Sequence, residues 1–156
     1  MRKAIGIAAV CVGIGACAVV PNEVSPQLKA MLGVVTADGP QGYPIVKSFT
    51  FDKSPLPSGA RLGECFEQVA DTWRAPQVTG NGMEAMGTLT YPLKTQGYYE
   101  GVRYRLNVSS QVGTYQFYGM KYVRGGGDFA AVEGMVPEVA YTRFQELADQ
   151  IDRCAR

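Results

Sequence analysis

The chain has no histidine among its 156 residues. This removes serine–histidine and cysteine–histidine catalytic pairs, imidazole-bound zinc, and the side chain that most often serves as general base near neutral pH. Neither sign of charge dominates. Fifteen basic residues stand against 14 acidic ones, and setting aside Arg2 and Lys3 at the start leaves 13 against 14. That balance gives no electrostatic case for nucleic-acid binding. There is no Cys-x-x-Cys, and the glycine run Gly125-Gly126-Gly127 lacks the Lys-Ser/Thr of a phosphate-binding loop. With no catalytic constellation, metal set or cofactor motif, the expectation is a non-enzymatic protein that needs no metal and no cofactor.

The first segment carries an address. Arg2-Lys3 precede an uncharged apolar stretch over residues 4–16. Its length suits the core of a signal peptide and falls short of the ~20 residues that a membrane span requires. The stretch ends in Ile14-Gly15-Ala16-Cys17, which resembles the bacterial lipobox: an aliphatic residue, two small ones, then the acylated cysteine. The resemblance implies lipidation at Cys17, loss of Cys11 with residues 1–16, and stable attachment through several acyl chains. Ala18, rather than aspartate, implies an outer-membrane address by the sorting rule of Gram-negative lipoproteins. The alternative is ordinary small-x-small cleavage at Ala16-Cys17-Ala18, releasing a soluble periplasmic protein.

Cys65 and Cys154 then remain, and an exported chain with two spare cysteines most simply pairs them. The closed loop is about 90 residues long, for which chain entropy allows at most roughly 4 to 5 kcal/mol.

Length and a 46% hydrophobic content suit one domain, and 19 glycines with nine prolines call for many turns. Residues 17–44, rich in proline, glycine and small side chains, read as the lipidated N-terminus and a flexible linker. At most one short helix begins at Ser25-Pro26. The domain is expected over residues 45–156. Its first strand spans residues 45–51, through Lys47, Phe49 and Phe51. Ser58 then caps a helix whose apolar face is Leu62, Phe66, Val69, Ala70 and Trp73. Ala75-Pro76 ends that helix, which makes Trp73 a core anchor. A strand over residues 86–93 has Pro92 near its end. Pro137 opens a last helix with the stripe Ala140, Phe144, Leu147, Ala148 and Ile151, and Cys154 lies one turn on.

The organising stretch is residues 98–123, a hairpin. Val102, Tyr104, Leu106 and Val108 alternate with Arg103, Arg105 and Asn107, the period of a strand with one buried face. The second run is aromatic on both faces: Tyr115 and Phe117 alternate with Tyr118, Met120 and Tyr122, so its inward side stays open. The expected architecture is α+β: one antiparallel sheet of four to five strands, with two helices on one face linked by the disulfide.

Residues 62–73, 87–91, 102–108 and 115–122, in that order, resemble the TBP-like domain of unknown function found in bacterial envelope proteins. The resemblance implies the TBP-like layer but no nucleic-acid binding, because fold does not carry function. Arg103, Arg105 and Tyr118, with Lys121 or Arg124 nearby, are the candidate partner-binding residues. The carboxylates Glu64, Glu67 and Asp71 share a helix side and read as solvated charges rather than an acid/base pair. The functional expectation is an envelope protein, anchored by lipid and facing the periplasm, whose domain binds another envelope protein. An inhibitor or immunity lipoprotein is the alternative, and it needs an exposed loop such as residues 125–134.

Overall fold

Antiparallel pairing brings six strands into one sheet, and every helix that packs on it lies on the same side. The computed structural model describes residues 23–92, 99–133 and 136–156. The leader, the lipobox at Cys17, Leu93 and Tyr98 lie outside the described residues. The elements are α1 (Pro26–Ala30), β1 (Val34–Asp38), β2 (Pro44–Asp52), α2 (Leu62–Val69), β3 (Asp71–Thr79), β4 (Gly82–Pro92), β5 (Tyr99–Ser109), β6 (Thr114–Tyr122) and α3 (Pro137–Ala155). The sheet order is β1-β2-β6-β5-β4-β3. β3 to β6 form a meander, β2 joins it at β6, and α2 crosses from β2 to the far edge. No helix among the described residues is long and apolar enough to cross a membrane.

Two expectations need correction. Among the described residues the sheet has six strands rather than four or five, because β1 forms within residues assigned to the linker and β3 replaces the end of the expected helix, while the short helix allowed at Ser25-Pro26 forms as α1 beside α2 and α3. Leu28 of α1 is fully buried, and β1 pairs along β2 as an edge strand. The first helix stops at Val69, not at Ala75: Ala70 is already extended, at φ −112° and ψ 145°. Asp71, Thr72 and Trp73 are weak helix formers. Pairing of β3 with β4, starting at Asp71 opposite Thr88, overrides the helical spacing. Pro76 therefore lies within an edge strand, where its missing N–H is tolerated.

Four register shifts, one in β2, one in β6 and two in β3, decide which side chains face inward. In β2, Val35 pairs with Ser48 and Thr36 with Val46, so Lys47 is extra and turns out to solvent. In β6, Arg105 pairs with Tyr118 and Arg103 with Lys121, so Gly119 and Met120 together face Tyr104. Gly119 has φ +60°, the left-handed conformation that a glycine-type bulge requires. The bulge resolves the two-faced aromatic run. Tyr115 and Phe117 before it, and Met120 and Tyr122 after it, all point to the helix side, leaving Gln116, Tyr118 and Lys121 on the other. β2 and β6 part beyond this point, and residues 128–131 fill the gap: Phe129 N–H donates to Met120 O, and Val46 N–H to Phe129 O. The two shifts in β3 flank Arg74.

The core lies between this face and the helices. Phe144 of α3 packs its ring 4.7 Å from Phe117, 5.1 Å from Tyr104 and 5.7 Å from Phe49. Cys65 of α2 is bonded to Cys154 of α3, with Cα atoms 5.7 Å apart, so the expected disulfide joins the two helices. Asp152, almost buried, accepts hydrogen bonds from Tyr115 Oη and from Arg156 Nε and Nη2, and Arg156 also donates to Ser54 O. The C-terminus is thereby tied to the turn after β2. Tyr91, Tyr104 and Tyr122 hydroxyls are buried without a hydrogen-bond partner among the described residues. Burial pushes Tyr91, Tyr104 and Tyr115 well above the usual phenol range and Tyr122 up to about 12. The Ala130 backbone beside Tyr122 opposes part of this rise.

Candidate functional site

Alternation along β5 sends Val102, Tyr104, Leu106 and Val108 to the helices and Arg103, Arg105 and Asn107 to the opposite face of the sheet. No described helix packs on that opposite face. Cross-strand register then assembles a row. Arg74 of β3 stands opposite Met86 of β4, Met86 opposite Arg105 of β5, and Arg105 opposite Tyr118 of β6. In the neighbouring row Asp71, Thr88, Arg103 and Lys121 face one another in sequence. The three expected site residues, Arg103, Arg105 and Tyr118, therefore lie together. Arg124 stands at an exposed turn beyond β6.

Trp73 joins them through the first of the two shifts in β3. Thr72 pairs with Gly87 and Arg74 with Met86, so Trp73 is the extra residue, and a bulge redirects its side chain. The indole, expected in the core, is 57% exposed. Arg103 Cζ lies 5.2 Å from its ring centroid, a cation–π distance. A cleft of about 460 Å³ runs past Trp73, Arg103, Gly119 and Lys121. It shares Arg74, Met86 and Arg105 with a smaller one of about 100 Å³ that reaches Glu84 and Tyr118.

The electrostatics are uneven along this groove. Lys121 faces Asp128 at 3.6 Å, whereas Arg74, Arg103 and Arg105 make no ion pair or hydrogen bond with a described side chain. Three guanidiniums are thus left to a solvent-facing partner. Each offers a planar fork of donors that matches a carboxylate or phosphate.

The expected carboxylates do not gather: Glu64 and Glu67 are exposed on α2, whereas Asp71 opens β3 at the edge of the Arg103 row. Among the described residues no three His, Cys, Asp or Glu side chains gather as a metal site. In the segment expected as an inhibitory loop, Phe129, Ala130, Ala131 and Val132 are buried, while the turn before them and Glu133 after them are exposed. Sequence reasoning missed Trp73, Arg74 and Met86 as members of the face. The signal that marks them is the run Thr72-Trp73 and Val78-Thr79 around Pro76, the composition of an edge strand. Compared with protein-family models, curated proteins and solved structures, the chain matches none.

Proposed function

We propose that the chain is a lipid-anchored protein of the bacterial cell envelope, facing the periplasm from the outer membrane, whose domain binds another envelope protein and catalyses no reaction. The address is supported by the charged start, the apolar stretch and Ile14-Gly15-Ala16-Cys17. The Cys65–Cys154 bond suits an oxidising compartment. One observation carries the binding role: Arg74, Arg103 and Arg105 stand without ion-pair partners among the described residues, beside exposed Trp73, on a sheet face that no described helix covers. Scattered charges keep any sheet face soluble, but tryptophan, tyrosine, methionine and arginine gathered together have the composition of an interface centre. The inhibitor alternative has less exposed loop to work with, because Phe129, Ala130, Ala131 and Val132 of residues 125–134 are buried.

The test is a quantitative pull-down from native envelopes at matched expression, comparing wild type with Arg103→Ala/Arg105→Ala. A stoichiometric protein lost in the double variant is the expected result. Equal recovery with both proteins places the binding surface elsewhere. In the same cells, Cys17→Ala is expected to release the protein from the membrane fraction, and retention there contradicts the lipid anchor.

A further inference from the structure

Resting on the reading of this face as a binding surface, we infer that its occupant is an acidic polypeptide segment, held in extended form with two carboxylates against Arg103 and Arg105. Three features of the groove select this chemistry.

The first is the pattern of charge. The guanidiniums of Arg74, Arg103 and Arg105, unpaired among the described residues, occupy the middle, with Glu84 one row beyond Arg105, Asp71 at the β3 end of the Arg103 row and Asp128 neutralising Lys121 at its β6 end. A long regular polyanion, such as a polyuronate or a single-stranded nucleic acid, places a negative charge against each of those carboxylates. A polypeptide confines its acidic residues to the centre and presents neutral side chains at the ends. Like charges juxtaposed across an interface cost affinity and so select against such a partner.

The second is pitch. Arg103 and Arg105 are two apart on one strand and project from the same face. A two-residue step along a strand is about 6.6 Å, so acidic residues at alternate positions of an extended partner meet one guanidinium each. Both forks can then be occupied bidentately.

The third is shape and surface type. The groove is concave, with Trp73, Met86 and Tyr118 as its apolar surfaces. A flat bilayer cannot fill it. An extended chain can, laying the aliphatic side chains between its carboxylates on the indole and the methionine. Tryptophan, tyrosine and arginine are the side chains around which protein interfaces concentrate their energy.

The full exported protein, diluted until its detergent is below the critical micelle concentration, is titrated into a fluorescein-labelled Gly-Val-Glu-Val-Glu-Val-Gly peptide, with the Lys-for-Glu peptide, polygalacturonate and phosphatidylglycerol vesicles as parallel probes. The Glu peptide is expected to bind, to weaken with added salt, and to lose about 10- to 100-fold in affinity in Arg103→Gln/Arg105→Gln. Arg103→Lys/Arg105→Lys, which keeps the charge and removes the fork, falls between them. Arg103→Glu/Arg105→Glu is expected to exchange the Glu peptide for the Lys peptide, a gain that a merely unfolded variant cannot show. Binding of polygalacturonate or vesicles in place of the Glu peptide, lost in the same variants, overturns the polypeptide assignment and leaves the binding face standing. Binding of the Glu peptide unaffected by these substitutions, or no binding of any probe, also overturns it. The pull-down then decides the wider reading on its own.

Discussion

Replacing Gly119 separates a bulged β6 from a straight one, because the two geometries predict opposite signs. At φ +60° an L-residue pays roughly 1 to 2 kcal/mol of left-handed strain. Removing glycine also restricts the unfolded chain, which returns about 0.4 to 1 kcal/mol. Space is not the issue, since a Cβ built at Gly119 lies 3.8 Å from Arg105 Cδ, an ordinary contact. Gly119→Ala is therefore expected to destabilise by about 1 kcal/mol. Gly119→Asn should cost less, because asparagine tolerates this region, and Gly119→Val more, on the order of 2 to 3 kcal/mol. Urea unfolding followed by far-UV circular dichroism measures the series, with unchanged m-values showing that stability alone has moved. Gly33→Ala is the contrasting control. There a Cβ falls 2.0 Å from Thr50 O, so the backbone itself must shift and the loss should exceed that at Gly119. In a straight strand, glycine is the weak residue and valine the strong one. A stability order of Val above Ala above Gly refutes the bulge, and with it the inward assignment of Met120 and Tyr122.

Two further outcomes concern the core and the helices. Cys65→Ala/Cys154→Ala opens a link between residues 89 apart and should cost about 2 to 5 kcal/mol, read as a lower urea midpoint; a loss below ~0.5 kcal/mol contradicts a constraint on α2 and α3. Alkaline titration should expose the buried tyrosines. Their folded pKa values lie above the unfolded value of 10.0, with Tyr122 raised to about 12. Above pH ~10 the unfolded state therefore binds fewer protons than the folded state, so stability is full below that pH and falls as pH rises through the folded values. Absorbance at 295 nm should show the exposed phenols first and the buried ones together with unfolding. A single step near pH 10 in a chain still folded by circular dichroism contradicts their burial.

Much of the helix side was legible, for physical reasons. Val102 to Val108 alternate without interruption because β5 is central and paired evenly with β4. The stripe on α3 kept its period because Pro137 starts it and nothing breaks it before Cys154. Cysteine parity sufficed for the disulfide. The outward face was half legible: Arg103, Arg105 and Tyr118 follow from alternation, but Trp73 does not. Leu62, Phe66 and Val69 keep a helical spacing that Ala70 and Trp73 happen to extend, and only pairing with β4 ends it. Bulges are the other source of error. One extra residue at Lys47, Trp73 or Gly119 shifts the period by one, and nothing within a single strand records its partner's count. The edge strand β1 was hidden for a related reason: a short strand paired on one side has little hydrophobic pattern to display.

The most direct test of the open sheet face as the binding surface is photo-crosslinking in intact cells, with a benzophenone amino acid at Tyr118 on that face or at Gln145 on the exposed side of α3. The account predicts one discrete protein adduct from position 118, abolished by Arg103→Ala/Arg105→Ala, and none from position 145. An adduct from position 145 with none from 118 contradicts it and moves the interface to the helices.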